Sequence, residues 1–149
     1  MYTNILVPLD GSSFAETALP HASALATKFG CKITLAKAIK PAYFYQFVDN
    51  PAGVLKDIHL AARKQAADYL EGVKANLTAE GLSVTIDFIE GGDVPSMILE
   101  AIEESGADLV VMSTHGRSGL ERWRFGSVAQ RVARHATVTT VLVRPKKDG

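Results

Sequence analysis

Three small groups of residues have types and spacing that suit chemistry. Ser113, His115 and Gly116 follow directly on the apolar run Leu109-Val110-Val111-Met112. Gly126-Ser127 stands directly before Val128-Ala129-Gln130-Arg131-Val132-Ala133, which has helical spacing. Asp10 closes a first apolar run over 4–9. Strand, glycine-containing loop and helix N-terminus make the layout of an anion site. Loop amides can converge on one concavity, and the helix start adds roughly half a positive charge. Glycine lets a phosphate approach backbone that a Cβ would shield. The same spacing also describes an ordinary loop between a strand and a helix. No Gly-Lys-Ser or Gly-Lys-Thr occurs, so there is no Walker-type loop. After the first strand the chain reads Val7-Pro8-Leu9-Asp10-Gly11-Ser12, which lacks the two-glycine dinucleotide fingerprint.

Each side chain has a chemical and a plainer reading. The Asp10 carboxylate can accept hydrogen bonds from ribose hydroxyls, or it can support the start of the first helix together with Ser12. Gly116, Gly126, Ser127 and Val128 can supply amides to phosphates, with the Ser127 hydroxyl as a further donor. Arg117, Arg122 and Arg124 lie in the loop and can clamp a triphosphate, or they are solvated. His115 would serve as a general base. A histidine holding a turn is the stronger reading, because no nucleophile or metal-ligand spacing accompanies it.

The elements that must position these residues alternate. The run 4–9 reads as a strand. Ser13-Phe14-Ala15-Glu16 has capping-box form, and apolar residues at 14, 18, 22, 25 and 29 continue a helix to Gly30. Pro20 predicts a kink in it. A second strand spans 32–38. Residues 40–53, with two prolines and four aromatics, read as a long loop or flap. Apolar positions 55, 58, 62, 66, 69, 73 and 77 predict a helix from Val54 that Gly81 closes. Strict alternation over 82–88 predicts a strand with one wet face, carrying Asp87, near a sheet edge. Pro95 suits the first turn of a helix that Gly106 ends. A last strand spans 138–143, before Pro145. Strands alternating with helices predict a parallel sheet covered on both faces.

The 149 residues are expected to form a single domain, 1–149, with 47% hydrophobic residues, enough for a core. Lys and Arg number 16 and so do Asp and Glu, and this zero balance argues against a nucleic-acid partner. The charge is uneven, minus six over 1–116 and plus six over 117–149. The positive end begins inside the proposed anion loop and gives a favourable field for polyphosphate. Cys31 is the one cysteine, which fits a reducing compartment and a structural thiol. No leader-like or membrane-spanning run is evident, so a cytoplasmic location without a membrane partner is expected.

The residues around Gly116 resemble the signature of the universal stress protein family. The nucleotide-binding branch of that family carries Gly, two residues, Gly, nine residues, then Gly with Ser or Thr. Here Gly116, the nine residues 117–125 and Gly126-Ser127 match, while Ser113 stands at the first position. Ile5-Leu6-Val7-Pro8-Leu9-Asp10, Glu90-Gly91-Gly92-Asp93 and Thr140-Val141-Leu142-Val143 extend the likeness along the chain. The resemblance implies a Rossmann-like α/β/α sandwich with a five-stranded parallel sheet of order 3-2-1-4-5. It implies ATP, with Mg²⁺, as the ligand. Pro8, Leu9 and Asp10 would contact it from the first strand and the Ala38 backbone would lie near adenine. Met112, Ser113, His115, Gly116 and Arg117 would contact it from the fourth strand and its loop, and Gly126, Ser127, Val128 and Ala129 from the helix start. Crowding by the Ser113 side chain would cost about 1–3 kcal/mol, roughly 5- to 150-fold in affinity.

The expected function is an ATP-binding regulator of a stress response, acting as a homodimer joined through the uncharged last strand, 138–143. Its downstream protein partner is not legible. Two alternatives stay open. One is weak ATP hydrolysis or nucleotidyl transfer, for which Asp10 is the one acid placed in the crevice. The other is a dimeric interaction protein that binds no nucleotide.

Overall fold

The computed structural model describes residues 1–39, 51–116 and 125–146. In chain order the elements are β1 (Asn4–Leu9), α1 (Ser13–Glu16), α2 (Leu19–Phe29), β2 (Lys32–Ile39) and α3 (Pro51–Ala79). Then come β3 (Val84–Glu90), α4 (Val94–Ser105), β4 (Leu109–Ser113), α5 (Ser127–His135) and β5 (Thr139–Val143). The five strands form one sheet in the order β3-β2-β1-β4-β5, and every neighbouring pair is parallel. The parallel direction is the one the alternating elements predict, and the order is the one the family resemblance implies.

Alternation along the strands divides the interior into two cores. Ile5, Val7 and Leu9 of β1 point to one face, with Ile33, Leu35 and Val111, and pack against Ala22, Leu70 and Val73 of α2 and α3. Leu6, Val110 and Met112 point to the other, where Ile98, Ile102 and Val132 of α4 and α5 cover them. Every residue of β4 is buried. That explains why β4 reads as an unbroken apolar run instead of an alternating one. Gly30 and Gly106 close α2 and α4 in the left-handed region, with φ of 66° and 67°, as their positions predict.

Several boundaries differ from expectation, each for a local reason. The first helix is broken, not kinked. α1 ends at Glu16 and α2 begins at Leu19, with Pro20 in its first turn. There the missing proline N–H has no intrahelical partner to lose. The cap of α1 is Ser12, not Ser13: the Ser12 hydroxyl accepts the Ala15 N–H at 3.1 Å. α3 starts at Pro51, a first-turn proline, so 51–53 belong to the helix. The rest of the expected flap, 40–50, lies outside the described residues. β3 begins and ends two residues later than the expected 82–88, which buries Ile89 in the α4 core. Its wet face is also drier than the pattern implied. Asp87 is half-buried, and burial pushes its carboxyl above the ordinary value.

The sheet is clamped at one end and split at the other. Near the amino ends of β1 and β4, the Asp108 carboxylate accepts the Thr3 and Asn4 N–H groups and the Thr3 hydroxyl at 2.9–3.1 Å. The Asn4 amide donates to the Ser105 carbonyl at 3.1 Å, and its carbonyl accepts the Thr34 hydroxyl at 2.9 Å. Towards the carboxyl ends, β1 pairs with β4 only at Ile5↔Leu109 and Leu6↔Val110. Pro8 has no N–H with which to extend that ladder. β1 stays with β2 as far as Leu9↔Lys37, and β4 with β5 as far as Ser113↔Val143. The split between β1 and β4 lies where the strand order reverses, the place at which such sheets bind ligands.

Candidate functional site

A cavity of about 650 Å³ occupies the split. That size suits a small-molecule ligand. Pro8, Leu9 and Asp10 reach it from β1, and Ala38 from β2. Met112, Ser113, His115 and Gly116 reach it from β4 and the loop after it. Gly126, Ser127, Val128 and Ala129 reach it from the start of α5. Of the contact set expected from the sequence, twelve residues therefore meet in one cavity. Arg117, with Arg122 and Arg124, lies outside the described residues.

Two glycines hold the loop and the strand ends together at close range. The Gly126 N–H donates to the Thr114 carbonyl at 2.7 Å, and the Thr114 N–H donates to the Val143 carbonyl at 2.9 Å. A Cβ at 126 would fall 2.9 Å from that same Thr114 oxygen. A Cβ at 116 would fall 2.5 Å from Asp10 Oδ2. At 126 the obstacle is backbone, and at 116 it is the tip of the Asp10 side chain. Gly126 caps α5 with φ of −60°, and no side chain caps the helix. The first-turn amides of Ser127, Val128 and Ala129 thus carry the positive end of the α5 dipole at the cavity wall.

Asp10 supports the start of the first helix and also lines the cavity. Its Oδ1 accepts the Ser12 N–H at 2.8 Å and the Ser12 hydroxyl at 2.5 Å, and Ser12 in turn caps α1. Its Oδ2 lies against Gly116 on the cavity side. One carboxylate both fixes the first helix and presents negative charge to the crevice. The loop itself is cross-braced. The Ser113 hydroxyl accepts the His115 N–H at 3.2 Å, and His115 Nδ1 lies 2.7 Å from the Thr114 hydroxyl. Thr114 is buried and His115 Nε2 is sealed from solvent, which fits a histidine that holds the turn.

Beyond the loop, Arg131 of α5 donates to the Asp93 carboxylate at 2.5 Å and to the Ser96 hydroxyl at 3.4 Å. The pair ties α5 to the start of α4. The Ser96 hydroxyl, with help from Arg131, holds the Asp93 carboxyl below its ordinary value. Among the described residues, no three His, Cys, Asp or Glu side chains come together as a metal site. No described helix is long and apolar enough to cross a membrane.

Sequence reasoning missed one wall. Ala62, Gln65, Ala66 and Tyr69 of α3 line the cavity. Three of them belong to the apolar stripe that predicts α3. The available signal was the smallness of Ala62 and Ala66 in a stripe that elsewhere carries large residues.

Comparison with known proteins follows the same lines. The universal stress protein family model matches residues 1–144. A universal stress protein of Methanocaldococcus jannaschii is 34% identical over 151 residues, covering 99% of this chain and 86% of that protein. The solved structure of hypothetical protein MJ0577 is 26% identical, with a TM-score of 0.86 and 99% of each chain covered. A universal stress protein solved in complex with cAMP is 26% identical, with a TM-score of 0.70 and 95% and 97% of the two chains covered.

Proposed function

Because the chain belongs to the universal stress protein family, we propose that it binds an adenine nucleotide in the crevice between β1 and β4 and works as a nucleotide-responsive regulator of a stress response. One observation carries the reading. Gly116, Gly126 and the uncapped start of α5 converge on the same cavity as Asp10. That juxtaposition supplies amides for phosphates at one end and a carboxylate for ribose hydroxyls in the middle. β2 outruns β1 by Ala38 and Ile39, so peptide groups at its end are available for the base. The cAMP complex of a relative supports the same class of ligand.

ATP with Mg²⁺ is the form proposed. The metal would reach the site on the phosphates, since the described side chains offer no cage for it. Asp10 gives the crevice one carboxylate, already bound to Ser12, so the reading is of binding more than of hydrolysis. The protein is proposed to act as a homodimer through β5. That edge strand has no charge, and Val141 and Leu142 are half-exposed on it. Bare edges of this kind invite pairing with a second copy. The proposed location is the cytoplasm.

Mass spectrometry of small molecules released from the purified protein tests the ligand class. An adenine nucleotide at near-stoichiometric amount supports the reading. If nothing is released and added adenine nucleotides give no thermal shift, the interaction-protein alternative takes its place. Phosphate release over time separates binding from hydrolysis.

A further inference from the structure

α3 gives a whole helical face to the cavity. Ala62, Gln65, Ala66 and Tyr69 stand at i, i+3, i+4 and i+7, so they lie above one another on one side of the helix. None of them belongs to the strand ends or the glycine loop. Further along α3 the stripe continues with Leu70, Val73 and Leu77, all buried against the sheet, and there helix and sheet close on each other. At 62 and 66 the side chains stop at Cβ. The space a leucine would fill stays in the cavity. On the sheet's other face the cavity is lined by the larger side chains of Ile89, Ile98 and Met112, which are buried. The two alanines leave a slot for a flat group on the α3 side, beside Lys37 and Ile39, which continue the Ile33–Leu35 face of β2.

We infer that α3 is the base-reading wall of this site: a purine ring lies in the slot left by Ala62 and Ala66, and the Gln65 side-chain amide pairs with the edge of the ring. The inference rests on the nucleotide reading above and deepens it. A carboxamide offers one acceptor and one donor side by side. That pair matches the 6-amino group and N7 of adenine. It does not match hypoxanthine, whose O6 and N7 both accept. Gln65 is thus a specificity-determining residue that selects 6-amino purines. Phosphate binding remains with Gly126 and the α5 amides, at a different part of the cavity.

The test compares adenosine monophosphate with inosine monophosphate, which differ at C6 and in the proton on N1, by calorimetry on the wild-type chain and two variants. The wild type should prefer adenosine monophosphate by about 5- to 150-fold, the discrimination typical of one two-point amide contact. Gln65→Leu, at an exposed position, should bring the ratio close to one while both nucleotides still bind. Ala62→Leu should weaken adenosine and adenosine monophosphate by the same factor, because it fills the slot without touching the phosphate end. A wild-type ratio near one overturns the inference, as does an unchanged ratio in Gln65→Leu. So does Ala62→Leu binding adenosine as tightly as wild type. In each of those cases the nucleotide reading survives. If neither monophosphate nor ATP binds the wild type, the nucleotide reading fails and this inference falls with it.

Discussion

Gly116→Ala tests whether this glycine is there for room. Gly116 does not have a positive φ, so an alanine meets no backbone strain. Its Cβ would nevertheless sit 2.5 Å from Asp10 Oδ2 and 3.7 Å from Asp10 Cγ. Comfortable contact begins near ~3.5 Å, so roughly 1 Å of overlap has to be relieved. The carboxylate cannot swing without cost, because its Oδ1 holds the Ser12 N–H and hydroxyl. Giving up such bonds to a charged acceptor costs about 1.5–3 kcal/mol, and tolerating the overlap costs about 1–3 kcal/mol. The molecule takes the cheaper course, so the expected loss is about 1–3 kcal/mol. For a chain of this size that lowers Tm by roughly 2–12 °C. Asp10→Ala removes the obstacle. In that background Gly116→Ala should cost almost nothing, and a double-mutant cycle by urea denaturation should give a coupling of about 1–3 kcal/mol. If the two losses add to within about 0.5 kcal/mol, the clash is not what fixes glycine at 116 and the reasoning fails.

Three further outcomes follow from the same contacts. Ser113→Gly removes the acceptor of the His115 N–H and should weaken ATP roughly 2- to 10-fold, from a hydrogen bond of about 0.5–1.5 kcal/mol; tighter binding in calorimetry would show instead that the serine crowds the site. Burial raises the Asp108 carboxyl, but bonds from the Asn4 and Thr3 N–H groups and the Thr3 hydroxyl outweigh it and hold the group below its ordinary value. A depressed carboxyl stabilises the fold above its unfolded pKa, near ~3.9, and that contribution disappears as pH falls through the folded value. Asp108→Asn should therefore cost about 1 kcal/mol at pH 7, discounted for exposure, with the gap to wild type closing below about pH 4 in urea titrations. Val141→Lys should convert the β5-paired dimer into monomers in sedimentation equilibrium, whereas a wild-type monomer at micromolar concentration would remove the dimer proposal.

The strands and the start of α5 were legible because they rest on short-range signals, whereas the strand order was implied by the family resemblance. An apolar run such as Leu109 to Met112 declares a doubly covered strand, and Gly126-Ser127 before a helical period declares an open helix start. What was not legible depended on contacts distant in sequence. Nothing near Gly116 says that Asp10 will press against it across about a hundred residues. The cap fell to Ser12 and not Ser13 because Asp10 holds Ser12 in place, a choice the capping-box pattern does not contain. The wall on α3 was hidden because periodicity reports which face of a helix turns inward, and it does not say whether that face meets side chains or a cavity.

The claim that an adenine nucleotide occupies the split between β1 and β4 is tested most directly by calorimetric titration of ATP with Mg²⁺ at low salt, on the wild type and Gly126→Val. The valine side chain would meet the Thr114 carbonyl and force the start of α5 away from the cavity. The account predicts saturable binding of one ATP per chain in the wild type. It predicts none in a Gly126→Val protein whose circular dichroism is unchanged. No heat and no thermal shift with millimolar ATP in the wild type, or equal affinity in the folded variant, would contradict it.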